Sequence, residues 1–402
     1  MRIVLLNQFY PPDAAPTGRY LHDVARVLAA RGHEVRVVAS RRAYAGGGDY
    51  AARETIDGVG VVRLGGFGFG RGTYAGKIAD YGAYVAGLAT QLARDPRFDV
   101  IVALTSPPLL GLFARAASLR GQARVVHWVM DLYPDALAAH GMPHGRAYDA
   151  LATVARQAFT GAAAVVALGP AMAQRLRAYV PDAVRLEWVP LWTPPELAPW
   201  PEGAPVPARR ARGWDDGRPT LLYSGNLGLG HRFEEFLSAA ERLGVRGPRW
   251  VFAGGGRARP ALDRFASQHP ALPIELRDAV EAAALREHLC SADVHLASLD
   301  ARWSGIIVPS KLQAAFGVAK PVIFVGPPED DIARWIAESG GGWVAREGDV
   351  DAVLACVREA SDAGEAARRG RRGHAYAREQ FAMERNAARI ADVIEEAGRL
   401  KP

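Results

Sequence analysis

The chain runs through the same alternation twice: a short apolar run, a stretch with apolar residues three and four apart, then another apolar run. In the first half, apolar runs at 2–6, 34–39, 59–64, 100–104, 124–129 and 163–168 have helical stretches between several of them. The segment 18–31 carries Leu21, Val24, Ala25 and Leu28 on one face and stops at Gly32-His33. Strands buried on both faces with helices between them specify a parallel, doubly wound sheet. Between 189 and 220 the alternation fails, and Pro190, Pro194, Pro195, Pro199, Pro201, Pro205 and Pro207 crowd the gap. Such punctuation marks a domain boundary. The alternation restarts with strands at 220–223, 249–253, 274–276, 294–299 and 321–325 and helices at 233–243 and 311–316; a helical, arginine-rich tail covers 363–400. The expected fold is α/β, with two doubly wound parallel-sheet domains facing across a cleft at the carboxyl ends of their strands. The domains are placed at 1–195 and 219–377, with a linker at 196–218 and a terminal helix at about 378–402 packing back on the first domain.

A length of 402 residues supports two such cores. The two cysteines, Cys290 and Cys356, fit no metal-ligand spacing and no disulfide framework, which favours a reduced compartment. The start, MRIVLLNQFYPP, reads as a first buried strand, its apolar run too short for a signal peptide. Nowhere do about 18 uninterrupted apolar residues occur, so no segment is expected to span a bilayer. The 49 basic against 43 acidic residues give +6, a surplus that suits anionic substrates or an anionic membrane face. The arginines are spread along the chain and no nucleic-acid motif is present, so nucleic acid is not an expected partner.

Candidate ligand-binding residues fall in the loops after these strands. The first loop, Asn7-Gln8-Phe9-Tyr10-Pro11-Pro12, leads to Thr17-Gly18 at a helix start. Thr17 suits a cap there, Gly18 lets a ligand approach the backbone, and such a helix start favours anions. The absence of GxGxxG after the first strand argues against a dinucleotide-binding dehydrogenase. In the second half, Ser224-Gly225-Asn226-Leu227-Gly228-Leu229-Gly230-His231-Arg232 and Gly254-Gly255-Gly256-Arg257 follow strands. Their glycines can present N–H groups to a phosphate, and Arg232 can add charge. In Pro309-Ser310-Lys311-Leu312, Ser310 suits an N-cap, and Lys311 falls in a first turn. The helix dipole disfavours a cation there, a conflict that a bound anion would remove. In the first half, Ser106-Pro107-Pro108 ends one strand, and His127, Asp131 and Asp135 lie at the end of another. A carboxylate there can bind or deprotonate a hydroxyl. His127 reads equally as a core histidine, and Asp131 as a cap or turn residue.

The opening strand with PP…TG, then RGHEVRVV, TSPPLLG, MDLYPDA, YSGNLGLGHRFEEF, VPSKLQAAFGVAKPVIFVGP and the terminal helix together resemble family 4 glycosyltransferases over essentially the whole chain. More narrowly, they resemble the bacterial branch containing fucosamine transferases of polysaccharide synthesis. The resemblance implies a GT-B fold, retention of anomeric configuration, and no metal or other cofactor. It places the nucleotide sugar on 219–377 and the acceptor on 1–195. Gly18 would approach the donor pyrophosphate from the first domain. Asn226, His231 or Arg232, Ser310 and Lys311 would surround it from the second, while Arg277 and Asp278 meet the base and ribose. Asp131 falls where a sugar-contacting residue is expected, with Tyr10, His127 and Asp135 on the acceptor side. The broad family carries two glutamates where this chain has Ile306 and Ala314, and Arg and Lys where it has Asn226 and His231. The narrower branch also lacks the glutamates, so Glu329, Asp330 and Asp331 become candidates for holding the donor sugar.

The expected activity is transfer of a hexosyl or N-acetylhexosaminyl group from an NDP-sugar, UDP-linked, to a cell-envelope glycan or lipid-linked saccharide. Lys311, Arg232 and helix N-termini would stabilise the departing diphosphate, and Asp131 would position the acceptor or stabilise charge on the sugar ring. The alternatives are a sugar-nucleotide epimerase of the same shape and a catalytically silent sugar-nucleotide-binding homologue. The expected location is cytoplasmic, with peripheral contact at the inner face of the cytoplasmic membrane. The segment 74–92 is the candidate contact, because Ile78, Tyr81, Val85, Leu88 and Leu92 recur at helical spacing. A helix packed on the first domain is the other reading of the same stripe.

Overall fold

The computed structural model describes residues 1–13, 15–42, 49–65, 74–95 and 97–400, with the main chain alone at 74–80. The chain divides into two compact units, Met1–Pro190 with Glu384–Pro402, and Leu191–Met383.

The first unit contains β1 (Arg2–Leu6), α1 (Pro16–Ala30), β2 (Glu34–Ser40), β3 (Arg53–Ile56), β4 (Val59–Leu64), α2 (Tyr74–Arg94), β5 (Val100–Ala103), α3 (Leu110–Gly121), β6 (Arg124–Trp128), α4 (Asp135–Ala139), α5 (Arg146–Phe159), β7 (Ala164–Ala167), α6 (Pro170–Leu176) and β8 (Arg185–Trp188). The described strands form an eight-stranded sheet ordered β3-β4-β2-β1-β5-β6-β7-β8, in which only the β3–β4 pair is antiparallel. β5 and β7 are buried along their whole length, as parallel strands covered on both faces must be. The order reverses at β1 and β5, so the loops leaving them open at a topological switch point. There the Gln8 N–H donates to the Ser106 carbonyl at 2.7 Å.

The apolar stripe of α2 turns inward. Tyr84, Leu88 and Leu92 are buried against Val4, Leu6 and Ile101, so the helical spacing serves the core. That corrects Leu88 and Leu92 as membrane-contact candidates. Tyr81 stays exposed, Val85 is half-buried, and the side chain of Ile78 lies outside the described residues.

The second unit contains α7 (Pro207–Ala211), β9 (Thr220–Ser224), α8 (Glu234–Leu243), β10 (Arg249–Ala253), α9 (Arg259–Gln268), β11 (Ile274–Arg277), α10 (Leu285–Cys290), β12 (Val294–Ser298), α11 (Lys311–Gly317), β13 (Val322–Val325), α12 (Asp331–Ser339), β14 (Gly342–Ala345), α13 (Val350–Ala360) and α14 (Ala363–Gln380). Its described strands make a parallel sheet ordered β11-β10-β9-β12-β13-β14, with the switch point at β9 and β12. The segment 196–218, expected as a linker, belongs to this unit. Leu197 and Trp214 are buried, and Trp214 clusters with Leu222 and Val251. Prolines limit regular structure there to α7, which Pro207 opens at its first position, without forbidding burial.

α15 (Met383–Arg399) joins the first unit from Glu384 onward. It buries Ile390, Val393 and Ile394, while Asp392 accepts from Arg31 at 2.7 Å and Glu395 pairs with His33 at 2.8 Å. Among the described residues no helix is long and apolar enough to cross a membrane.

Candidate functional site

At the switch point of the second unit, two glycine loops brace each other. The Gly225 N–H donates to the Ala253 carbonyl and the Leu227 N–H to Gly255, each at 2.9 Å. These two N–H groups are therefore spent within the protein and are not offered to a phosphate. The loops approach closely: a Cβ on Gly254, whose φ is +136°, would lie 2.0 Å from the Gly225 carbonyl oxygen. Gly225, at φ +125°, makes room for Lys311, whose Cε would lie 3.3 Å from an added methyl.

Lys311 opens α11 and extends over the Tyr223 ring, with Nζ 4.8 Å from the ring centroid and 3.5 Å from His231 Nε2. His231 cannot neutralise it. Its Nδ1–H donates to the Ser298 carbonyl at 2.7 Å, so Nε2 carries a lone pair, and burial beside Lys311 pushes the imidazole down to about 3. Among the described residues no carboxylate lies within 4.0 Å of Lys311 Nζ. Burial pushes the ammonium down to about 8, so it remains mostly charged at neutral pH. A half-buried, uncompensated cation at the switch point of a parallel sheet is an anion-binding feature. Ser310 stands at the N-cap position of α11 but makes no side-chain capping bond.

Arg232 is neutralised by carboxylates. It donates to Glu235 Oε1 at 2.9 and 2.6 Å and lies 3.7 Å from Glu347 and 4.0 Å from Asp300. That corrects its expected role as a free charge on a diphosphate. Glu235 is almost fully buried and also accepts from the Gly348 N–H at 2.9 Å, so the pair holds the loop after β9 to α8. Arg232→Met is expected to destabilise the fold by about 2–4 kcal/mol, by stranding a buried carboxylate. Chemical denaturation should recover most of that loss in the double variant with Glu235→Gln.

The other donor-side candidates scatter. Asn226 is exposed on its loop. Arg277 donates to Glu275 at 2.7 Å and lies 5.3 Å over Trp214, while Asp278 is 98 % exposed and 3.4 Å from Arg259. Glu329 is exposed; Asp330 caps α12 through the Ile332 N–H at 3.1 Å and accepts from Ser304 at 2.9 Å. Asp331 is buried in the first turn of α12. That position corrects Asp331 as a group presented to a donor sugar.

In the first unit, Asp131 follows β6 beside the end of β5. Its N–H and that of Met130 donate to Thr105 Oγ1 at 3.0 and 3.1 Å. Its carboxyl group has no hydrogen bond or ion pair among the described residues, and burial pushes it up to about 6. Three neighbouring expectations are corrected. His127 packs under Gly111 and edge-on to Phe159, is nearly fully buried, and is pushed down to about 4. Asp135 is held by Arg175 at 3.0 Å and by the Tyr179 hydroxyl. Tyr10 is fully buried with its hydroxyl 2.9 Å from His22 Nδ1. Gly18 is required by the chain's own loop, because a Cβ there would lie 2.9 Å from the Phe9 carbonyl oxygen. Nor does Thr17 cap α1, whose N-cap is Ala15 with Pro16 following; Thr17 instead lies 3.4 Å from the Asn7 amide.

Two residues escaped the sequence reading. His288 Nε2 lies 3.2 Å from Ser224 Oγ at the end of β9. Arg212 lies 4.9 Å over Trp214 and donates to Ser291 at 2.9 Å, with no carboxylate within 4.0 Å among the described residues. Arg212 sits in the supposed linker, where no pattern marks it. Among the described residues, no group of three or more His, Cys, Asp or Glu side chains is placed to hold a metal ion.

Residues 17–192 match a family model described as a glycosyl transferase 4-like domain. WbjE of Pseudomonas aeruginosa, described as a probable glycosyltransferase, is 26% identical over 277 residues, covering 66% of this chain and 67% of its own. WcaI of Escherichia coli strain K12, named as a glycosyl transferase of colanic acid biosynthesis, is 24% identical over 384 residues, covering 90% and 92%. Among solved structures, HepE from Anabaena in complex with UDP and glucose superposes with a TM-score of 0.71 at 14% identity, over 98% of this chain and 100% of its own. The fold is GT-B, and the sequence relatives support a glycosyltransferase.

Proposed function

We propose that the chain is a retaining glycosyltransferase that takes a sugar from a UDP-linked donor and passes it to a cell-envelope glycan or a lipid-linked saccharide. The observation that carries the proposal is Lys311, an ammonium without a carboxylate at the switch point of the second unit. As the glycosidic bond to the donor breaks, negative charge grows on the diphosphate, and a fixed cation beside it lowers that barrier. Arg212, which has no carboxylate within 4.0 Å among the described residues, adds positive potential near His288 and Arg277. Asp131, on the first unit, serves the acceptor hydroxyl or the reacting sugar. No metal ion enters the proposal. The complex of HepE with UDP and glucose supports the choice of donor, and the naming of WcaI for colanic acid synthesis supports a polysaccharide acceptor.

A panel of sugar nucleotides tests this by thermal shift. A donor at 100 times its Kd should stabilise the chain by about 2.7 kcal/mol. UDP-sugars are expected to shift the melt, and Lys311→Met to abolish the shift. A panel in which no nucleotide sugar moves the melt would contradict the proposal.

The acceptor's lipid anchor gives a reason for membrane contact at the cytoplasmic face. With the α2 stripe turned inward, the candidate contact becomes an apolar groove between α2 and α3. This groove, of about 350 Å³, is lined by Ala89, Phe113, Ala117 and Arg120, and Leu119, next to Arg120 in α3, is 78% exposed. The proposed occupant is an anionic lipid surface, matched by Arg120. Flotation with anionic liposomes at low salt should carry the chain upward, and Leu119→Asp should reduce the bound fraction severalfold. No flotation at low salt removes membrane contact from the proposal.

A further inference from the structure

The second unit carries another cavity, of about 650 Å³, at the opposite edge of its sheet. Its floor lies at the amino ends of strands: Pro219 precedes β9, Asp293 precedes β12, and Lys320-Pro321 precede β13. Lys311 and His231 stand near the carboxyl ends. Since Lys311 opens α11 and Lys320 follows its last turn, the two sites lie at opposite ends of one short helix. One wall comes from the segment around Trp200, the other from Ala363, Ala366 and Arg371 in the first half of α14.

Positive charge converges here with little compensation. Lys320, Arg218 and Arg371 all line the cavity, and among the described residues none has a carboxylate within 4.0 Å. The carboxylate on the floor is already used: Asp293 accepts from Arg209 at 2.8 Å and from the Thr220 N–H at 2.8 Å. Glu202 lies at the exposed rim. His374 donates from Nδ1 to the Phe316 carbonyl at 3.1 Å, which leaves Nε2 for an occupant. Burial lowers the Lys320 ammonium from its usual value, and the attraction of Asp293 offsets that only in part. The volume is that of a small-molecule site, with apolar walls and a few convergent polar groups.

We propose that this cavity binds a small organic phosphate, its dianion held by Lys320, Arg218 and Arg371 and its ring against Trp200, Val318 and Ala366. Three cations call for a dianion, and a phosphate monoester carries close to two charges at neutral pH. This site is separate from the donor site, and the proposal stands whether or not a nucleotide sugar binds at Lys311.

Pyridoxal 5′-phosphate tests it, because it joins a phosphate and a flat ring to an aldehyde. The aldehyde condenses with an uncharged lysine amine to give an imine and water. Borohydride then delivers hydride to the imine carbon, the nitrogen takes a proton from water, and the label is fixed. The chain has only four lysines, Lys77, Lys311, Lys320 and Lys401, so peptide mass spectrometry assigns each label. Normalised to Lys401, labelling of Lys320 is expected to be at least about tenfold faster with pyridoxal 5′-phosphate than with pyridoxal, which lacks the phosphate. Glucose 1-phosphate should slow it, and Arg371→Gln should remove the preference while leaving the melting temperature unchanged. Equal rates for the two aldehydes at Lys320, or a preference that survives Arg371→Gln, would overturn the proposal. Labelling of Lys311 is counted separately, and its protection by UDP reports on the donor site alone.

Discussion

Replacing Lys311 by methionine is expected to lower kcat/KM by about 30- to 1000-fold, the roughly 2–4 kcal/mol supplied by a preorganised charge donor, while raising stability at neutral pH. The two effects have one cause. The folded chain holds the Lys311 ammonium at about 8 against a usual 10.5. Between those values the unfolded chain binds more protons, so stability rises with pH through that window, and below about 8 the whole cost of burying the charge is carried. That cost is on the order of 3 kcal/mol at pH 7. Methionine keeps the apolar stem over the Tyr223 ring and removes the charge. Melting curves of the two proteins should lie apart at pH 7 and converge near pH 10.5. A variant that is less stable yet fully active would make Lys311 a structural residue.

Asp131→Asn is expected to lower turnover by about 10²- to 10⁴-fold, the range for a positioned acid–base group, while UDP affinity changes by less than about twofold. The substitution keeps the size of the side chain and removes its charge. In the wild type, the acid limb of kcat/KM should fall near pH 6, where burial holds the Asp131 carboxyl. That limb should be absent from the variant. The stability sign is fixed as well. The folded chain binds more protons than the unfolded chain between 3.8 and about 6, so the wild type loses stability as pH rises through that window. The asparagine variant should therefore be the more stable protein above pH 6. A wild-type turnover rate would make Asp131 a turn residue, and a large loss of UDP binding would put the donor on the first unit.

What the sequence revealed, and what it hid, follows from how locally each feature is specified. β5 and β7 are buried on both faces and read directly as Val- and Ala-rich runs. The edge strands β3 and β8 are Arg-Glu-Thr-Ile and Arg-Leu-Glu-Trp, half exposed, and carry no such run. Lys311 was legible because a cation in a first turn is a local misfit, even though Ser310 does not cap the helix as expected. The neutralisation of Arg232 was only partly legible. Glu235 is three positions away, but Asp300 and Glu347 arrive from distant loops. His127, on β6, depends on Gly111 and Phe159, which the fold brings over it from α3 and α5. Arg212 was hidden for a related reason. The prolines around it read as a linker, and only the packing of Trp214 into the second unit places it near Arg277.

The most direct test of the transferase account is the anomeric form of the first sugar released from an α-linked UDP-sugar by prolonged incubation with the full chain, followed by proton NMR. A retaining enzyme hydrolyses its donor slowly when no acceptor is present. The α-anomer should therefore appear first together with UDP, and both should form at least about 30-fold more slowly in Lys311→Met. First appearance of the β-anomer, conversion of the donor to an epimer without release of UDP, or no turnover of any donor in the panel would contradict it.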